Sequence, residues 1–230
     1  KDKPFFMTYL TLTPHHDYLS PKRYGFEEYD EAEEFNRYLN SVHYVDQFVA
    51  NVIEMFKKQG RYEDTIFVIL GDHGEGFNEH GRSQHDNVIY QEGLHIPMLV
   101  HDPKLADKPR EVEPRTSQLD LAPTVIELSN FDLTGGNFPG ESLLTLDRER
   151  RIFAHCWYER RCMATIQGDR KYIDHFGTQP AELFDLSKDP LEKKSLFTSE
   201  EAVKVEHEAL SRWRANVNAF YEAHQDEFAK

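Results

Sequence analysis

The sequence predicts an α/β fold followed by a small antiparallel sheet and a C-terminal helix. Three observations predict it. Short apolar runs alternate with amphipathic stretches over residues 1–148, which is typical of a sheet with helices on both faces. Four short strand-like runs separated by turn residues occupy residues 149–198. A charged stretch with apolar residues at helical spacing covers residues 199–230. We predict three parts with these boundaries.

The composition narrows the class of protein. Of the 230 residues, 39% are hydrophobic and 16 are Phe, which is enough apolar material for a core and excludes a wholly disordered chain. The net charge of −14 argues against a nucleic-acid partner, because such proteins carry a basic face. We find no run of about 18 apolar residues, so we predict no membrane segment in this chain.

The first part contains the predicted α/β elements. The apolar run at residues 5–12 indicates a buried strand. Apolar residues recur every three or four positions from Phe35 to Phe56, which predicts a helix, and Gly60 suits its C-cap. A chain that opens inside a core strand is expected to be a piece of a longer protein, so exported (periplasmic) and cytoplasmic locations both stay open. The remaining elements are strands at residues 65–70 and 96–100 and a capped helix over residues 117–129.

The second and third parts have simpler patterns. We expect Cys156 to be a small buried residue of an antiparallel strand. Two cysteines cannot form a disulfide framework, and the redox compartment stays open. The final helix is predicted over residues 200–228, with Val203, Leu210 and Trp213 on its apolar face. The four strands are predicted at residues 152–155, 161–167, 170–174 and 182–186.

Asp72 and His73 follow the predicted strand at residues 65–70, where open α/β sheets bind their ligands. Gly71 and Gly74 give the backbone the freedom to bring both side chains to one point. A carboxylate beside an imidazole suits a divalent cation such as zinc or manganese. The alternative is a polar loop in which Asp72 caps the next turn and His73 is solvated.

Further histidines lie near these two residues. Residues 79–87 contain His80, Arg82 and His85, and His15 follows the end of the first predicted strand. Histidine and arginine both donate hydrogen bonds to phosphate or sulfate oxygens. If the strand ends converge, these side chains would hold an anion beside a metal, although each histidine alone is more commonly solvated.

Six segments of the sequence resemble the second half of the sulfatases, which belong to the alkaline-phosphatase-like superfamily. They occur in order over roughly residues 4–197, and the ordered set is far more specific than any one segment. The resemblance implies the C-terminal portion of an α/β/α sandwich. The segments are residues 71–75 (GDHGE), 79–81 (EHG), 90–97 (YQEGLHIP), 117–124 (SQLDLAPT), 139–143 (PGESL) and 181–192 (AELFDLSKDPLE).

The resemblance also implies a metal-dependent hydrolase of a small anionic ester. Asp72 and His73 match ligands of a divalent metal, which could be Ca, Mg, Mn or Zn. His15 matches a histidine that contacts the anion or a second metal, and His85 matches one found in sulfatase-like and phosphoethanolamine- or phosphoglycerol-transferring members. We expect both to be catalytic, holding the anion or protonating the leaving group, and Arg82 to be a further substrate-binding candidate. Residues 182–192 match a structural strand and turn.

The family's nucleophile, formylglycine in sulfatases, and its first acidic ligands lie in an N-terminal half that this chain lacks. We therefore expect that missing half as a partner, no activity from this chain alone, and possible self-association into a homo-oligomer.

Three positions depart from the sulfatase pattern. Asp86 stands where a sulfate-binding Lys is usual, and His95 replaces an Arg. Cys156 and Arg160 have the spacing of the formylglycine signature, but Tyr158 replaces its Pro. Two alternatives to a sulfatase therefore stay open. One is a phosphotransferase or phosphodiesterase of the phosphoethanolamine or phosphoglycerol type, or an enzyme acting on phosphonates. The other is a non-catalytic fragment that keeps the fold.

Overall fold

The computed structural model describes residues 3–85, 88–105, 109–132, 134, 138–156 and 161–228. The chain forms two compact units, Lys1–Ile69 with Met98–Pro109 and Leu70–Pro97 with Arg110–Lys230. The boundaries predicted at residues 148 and 198 stay predictions. The helices are α1 (Glu33–Lys58), α2 (Gln91–Leu94), α3 (Leu121–Leu128) and α4 (Lys204–Phe228). The strands are β1 (Phe67–Leu70), β2 (Gly76–Phe77), β3 (Ser83–Gln84), β4 (Met98–His101), β5 (Arg151–His155), β6 (Met163–Gln167), β7 (Arg170–Asp174) and β8 (Glu182–Asp185).

Helix α1 of the first unit confirms the predicted helix and its C-cap. Gly60 has a φ of 64°, and its N–H donates to the carbonyl of Lys57 at 3.0 Å. The N–H of Arg61 donates to the carbonyl of Phe56, also at 3.0 Å. These two bonds form a Schellman motif, which satisfies the last carbonyls of the helix and needs a residue that tolerates positive φ.

The buried side of α1 differs from the predicted apolar face. Asn36 and Asn40 are buried, whereas Val42 is exposed. The Asn40 side chain accepts the N–H of Glu27 at 2.9 Å and donates to its carbonyl at 2.8 Å, and Asn36 accepts two further N–H groups of residues 27–30. Buried backbone groups need partners, so these two amides are more useful here than apolar side chains would be.

Strands β1 and β4 confirm the strands predicted at residues 65–70 and 96–100, and the structure shows that they pair with each other. The hydroxyl of Tyr62 lies 2.7 Å from Nε2 of His101, which links the turn before β1 to the end of β4.

The predicted buried strand at residues 5–12 is wrong. That segment forms no strand among the described residues, and its apolar side chains are exposed, including Phe6 at 87% and Leu10 at 75%. A strand requires a neighbouring backbone that completes its ladder of hydrogen bonds. An apolar run predicts a strand only if that neighbour exists, and the pattern of the run itself cannot show it.

Strands β5 to β8 of the second unit confirm the predicted antiparallel sheet, in the order of the sequence. Alternate residues face opposite sides, as the pleat requires. On one side Met163, Tyr172 and Leu183 pack with Val203 and Leu210, so α4 and the turn before it cover this face. This contact confirms the predicted apolar face of the final helix near its N-terminus.

The other side of the sheet packs against the segment that contains α2. Ala164, Ile173 and Phe184 form a buried cluster with Ile89 and Tyr90. The sheet therefore has an apolar layer on both sides. The layer formed with Ile89 and Tyr90 includes residues of the segment YQEGLHIP.

Cys156 is buried, as predicted, but it lies one residue beyond β5 and is joined to Cys162 in a disulfide. The two cysteines lie opposite each other at the end of the β5–β6 pair, next to the connection between the strands, with Cα atoms 5.2 Å apart. The near-match to the formylglycine signature also involves Tyr158 and Arg160, which lie outside the described residues.

The second unit also contains the short hairpin of β2 and β3, and α3 preceded by the turn Gln118–Asp120. The N–H of Ser117 donates to the Asp120 carboxylate at 2.7 Å, which confirms the predicted capped start of this helical region. Across the described part of the chain, no helix is long and apolar enough to cross a lipid bilayer.

Candidate metal and anion site

Residues 71–75, which we call the Asp-His loop, leave β1 and are held by their backbone. The side-chain amide of Gln118 donates to the carbonyl of Gly71 at 3.0 Å and to that of Asp72 at 2.7 Å. The N–H of Gly71 donates to the carbonyl of Pro97 at 3.1 Å. These bonds fix the part of the loop that carries the predicted ligands.

Gly74 brings the Asp-His loop into direct contact with α2. Its N–H donates to the carbonyl of Gly93 at 2.9 Å. A Cβ atom at Gly74 would lie only 1.9 Å from the carbonyl oxygen of Glu92. Glycine is therefore required here for close packing of two backbones, in addition to the flexibility expected from the sequence.

The side chains of Asp72 and His73 lie close together. Oδ2 of Asp72 is 3.6 Å from Nε2 of His73, and both side chains reach the solvent. Nδ1 of His73 is 2.7 Å from the carbonyl of Gly74, so Nδ1 carries the proton and donates. The lone pair of Nε2 is then available to a ligand on the same side as the Asp72 carboxylate.

His85 joins this pair within the second unit. Its ring stacks on the ring of His73 with centroids 4.5 Å apart. Its Nδ1 lies 3.5 Å from Oε1 of Glu75, whose side chain is buried. Glu75 belongs to the GDHGE segment but was given no role by the sequence analysis. Its position beside a predicted functional histidine is visible only in the structure.

Arg82 and His15 each have a hydrogen-bond contact within their own unit. Arg82 lies in the turn between β2 and β3, where its carbonyl accepts the N–H of Asn78 at 2.9 Å. His15 belongs to the first unit, where its Nδ1 lies 2.8 Å from the carbonyl of His16. Asp86, the departure from the sulfate-binding Lys, lies outside the described residues. The roles of His15, His85 and Arg82 stay predictions, as do the ligand roles of Asp72 and His73.

The ring of His80 is hydrogen-bonded to groups outside the Asp-His loop. Nδ1 lies 2.6 Å from Oε1 of Glu92, and Nε2 lies 3.1 Å from the carbonyl of Glu192. Both partners are acceptors, so both ring nitrogens donate, and the ring stacks on Tyr90 at 3.7 Å. Burial lowers the pKa of His80, but the hydrogen bonds to Glu92 and Glu192 outweigh it, and the pKa is raised overall.

A second polar link joins the α2 segment to β8. The hydroxyl of Tyr90 donates to Oε2 of Glu182 at 2.6 Å, and Nε2 of His175 lies 2.8 Å from the same oxygen. Burial and the bond to Glu182 raise the pKa of Tyr90, whereas the charge of Arg82 opposes that rise.

Sequence reasoning gave no functional role to Gln118 or Glu192. Both lie within segments that carry the resemblance, SQLDLAPT and AELFDLSKDPLE. Their presence in those segments was the available signal, but their partners are distant in sequence and could not be inferred.

Comparison with known proteins places these observations in a family. The sequence matches the family model Sulfatase over residues 1–131, and that for the C-terminal region of N-sulphoglucosamine sulphohydrolase over residues 78–218. It is 31% identical over 160 residues to the lipoteichoic acid synthase-like protein YvgJ of Bacillus subtilis, covering 64% of this chain and 25% of that protein. It is 26% identical over 181 residues to a Δ4,5-hexuronate-2-O-sulfatase of Bacteroides thetaiotaomicron, covering 72% of this chain and 38% of that enzyme.

The fold is also that of a solved structure. Phosphonate monoester hydrolase of Agrobacterium radiobacter superposes with a TM-score of 0.63 at 20% identity, covering 80% of this chain and 41% of that one. This similarity confirms the predicted alkaline-phosphatase-like α/β fold. The chain spans less than half the length of each of these three proteins. Because the Sulfatase model matches residues 1–131, more than half of the 230 residues, the chain belongs to the sulfatase family of hydrolytic enzymes.

Proposed function

We propose that this chain carries the metal- and anion-binding part of an enzyme that hydrolyses sulfate esters. The observation that supports it most strongly is the 3.6 Å separation between Oδ2 of Asp72 and Nε2 of His73. Ligand atoms about 2.0–2.2 Å from one cation have such separations. The sulfatase family, to which the chain belongs, generally uses a divalent metal.

The donor set suits a divalent cation. Asp72 offers an anionic oxygen, and His73 offers Nε2 because its Nδ1 proton is used by the carbonyl of Gly74. A neutral imidazole whose other nitrogen is bonded to a carbonyl is the usual form of a metal-binding histidine. A bound Ca, Mg, Mn or Zn ion would supply positive charge beside the ester anion.

His85 is proposed to bind the ester anion. Its ring lies against His73, and Oε1 of Glu75 lies 3.5 Å from its Nδ1, where the charge of the carboxylate favours this orientation of the ring. In that orientation Nε2 of His85 can donate to an anion oxygen or to the leaving group. His15, from the first unit, is proposed for the same task, and Arg82 for a weaker role in binding substrate.

The reaction requires groups beyond those named in this chain. Catalytic metals are held by about three protein ligands with one open position, whereas Asp72 and His73 are two. We propose that a nucleophile and additional acidic ligands come from another part of the same protein. The coverage of less than half of the related proteins supports this arrangement.

The metal assignment can be tested in the full-length protein. Asp72→Asn and His73→Ala should each lower bound divalent metal and abolish ester hydrolysis, since each removes a ligand and leaves the core intact. Asp46→Asn, which removes an exposed carboxylate of α1, serves as the matched control. Elemental analysis that finds unchanged metal stoichiometry in both site variants would refute the assignment.

A second candidate function is phosphoryl transfer or phosphoester or phosphonate hydrolysis. The 31% identity to a lipoteichoic acid synthase-like protein favours it, and so does Asp86, since it stands where the sulfatases usually have a sulfate-binding Lys. Competition between aryl sulfate, aryl phosphate and phosphonate esters on the full-length protein distinguishes the candidates. A large preference for the phosphate or phosphonate supports the second candidate, and a large preference for the sulfate supports the first.

A further inference from the structure

We propose that Glu192 is a positioning residue for the Asp-His loop, acting through α2. The inference rests on the proposed metal site at Asp72 and His73. It assigns a role in that site to a residue of the C-terminal turn after β8, which the sequence analysis expected to be structural.

The first step is the contact between the Asp-His loop and α2. Gly74 is hydrogen-bonded to the carbonyl of Gly93, and its Cα lies against the carbonyl of Glu92 with no room for a side chain. Gly93 is equally confined, because a Cβ there would lie 2.7 Å from Val88. The position of α2 therefore determines where the backbone next to His73 can lie.

The second step is the set of bonds that position α2. Oε2 of Glu192 accepts the N–H of Gln91, the first residue of α2, at 2.5 Å. The carbonyl of Glu192 accepts a hydrogen bond from Nε2 of His80. Nδ1 of the same ring donates to the Glu92 carboxylate. Glu192 thus binds α2 through its side chain, and through its backbone and His80.

The third step is the way Glu192 itself is held. Oε1 lies 2.5 Å from Nζ of Lys171, and both side chains are completely buried. Lys171 lies on β7, between Ile166 of β6 and Phe184 of β8 in the sheet register. The carboxylate is therefore fixed by an inner strand of the sheet, with one oxygen for Lys171 and the other for Gln91.

These three steps form one path from the sheet to the loop. A group bonded directly to a metal ligand controls the orientation of that ligand, and its loss typically weakens metal binding about 10–100-fold. Glu192 acts on the ligands through α2, so we expect its loss to have an effect at the lower end of that range, about 10-fold. The proposed role of Glu192 is to hold the Asp-His loop in the position where Asp72 and His73 can bind the same cation.

Two double variants of the full-length protein distinguish the positioning role of Glu192 from the effect of removing its buried charge. Lys171→Met with Glu192→Gln removes the ion pair but keeps an amide oxygen for the N–H of Gln91. Lys171→Met with Glu192→Met removes that acceptor as well, at similar side-chain volume. We expect near wild-type Mn²⁺ affinity in the Gln variant and about 10-fold weaker binding in the Met variant. Both affinities are measured by calorimetric titration of variants with equal melting temperatures.

A second pair of variants tests the inference independently if the Met variant does not fold. Gln91→Pro removes the donated N–H and leaves the Lys171–Glu192 pair intact, whereas Gln91→Ala keeps the N–H. Proline is tolerated at the first position of a helix, and Tyr90 before it has the extended ψ of 176° that proline requires. We expect weaker Mn²⁺ binding in Gln91→Pro alone.

Equal Mn²⁺ affinity within each pair of variants overturns the inference. Asp72→Asn in the wild-type background is measured alongside. If it leaves Mn²⁺ binding unchanged, the proposed metal site itself is wrong and the inference fails with it. If it abolishes binding while both pairs bind equally, only the role of Glu192 is refuted.

Discussion

Nζ of Lys171 lies 2.5 Å from Oε1 of Glu192, and neither side chain reaches the solvent. Burial lowers the pKa of Lys171 and raises the pKa of Glu192, and each partner's charge opposes the effect on the other. The pair joins β7 to the turn after β8. It also places the second carboxylate oxygen against α2.

Lys171→Met should destabilise the protein strongly. It leaves the Glu192 carboxylate buried without its counter-charge, which typically costs about 3–5 kcal/mol. Urea denaturation at neutral pH measures the change in unfolding free energy. Adding Glu192→Gln should recover much of the loss, because the remaining group is neutral. A single variant as stable as the wild type would contradict this account of the pair.

His80→Gln should make stability less dependent on pH. The ring donates from both nitrogens only when it is protonated, and its pKa is raised above the unfolded value of about 6.5. Its contribution is therefore complete below the unfolded pKa and is lost as the pH rises through the higher folded pKa.

We expect His80→Gln to cost about 1.5–3 kcal/mol at low pH, the value of a hydrogen bond to a charged group. The difference from wild type should shrink as the pH rises above 6.5, the reference pKa of histidine. Denaturation curves in a pH series give both values. The same difference at every pH would show that His80 is not held as an imidazolium.

Gly74→Ala should disrupt the contact between the Asp-His loop and α2. The added carbon would lie 1.9 Å from the carbonyl oxygen of Glu92, so one backbone must move. Overpacking of this kind typically costs about 1–3 kcal/mol, and more where backbone is displaced. Gly71→Ala is the matched control, since its Cβ would meet Ile96 at 3.3 Å. Equal melting temperatures for the two variants would be inconsistent with the close approach.

Cys156 and Cys162 should be oxidised in protein purified without reductant. They face each other with Cα atoms 5.2 Å apart, and both are buried. Titration of thiols in denaturant should find none, and two free thiols would count against the disulfide. Replacing both by Ala should cost about 2 kcal/mol, the loop-closure value for so short a loop.

The 230-residue chain alone should show no ester-cleaving activity. The proposed nucleophile lies outside it, and its two proposed ligands, Asp72 and His73, are too few to hold a catalytic metal tightly. Exposed apolar side chains at residues 5–12 should also promote self-association.

To test for this activity, the purified chain is assayed with aryl sulfate, phosphate and phosphonate esters in the presence of added Zn, Mn, Mg or Ca. Turnover that follows the protein through purification and disappears in Asp72→Asn would show that the site is complete in this chain.

The sequence by itself determined the elements whose signals are local. The apolar period and Gly60 predicted α1 and its end, and turn residues at short spacing predicted the four strands of the antiparallel sheet. Asp72 and His73 are adjacent in the chain and follow a strand, so their proximity needed no tertiary information. The ordered segments that resemble sulfatases were also readable from the sequence, and the family matches confirm them.

Only the tertiary structure decided which groups become partners across the chain. His80 looked like one more anion-binding histidine, but its ring bonds to Glu92, 12 residues away, and to Glu192, 112 residues away. The apolar run at residues 5–12 looked like a strand, but it has no strand ladder among the described residues. A residue's own type and spacing report its local preference. Its burial and hydrogen bonds depend on which distant backbone reaches it, and that is set only when the chain folds.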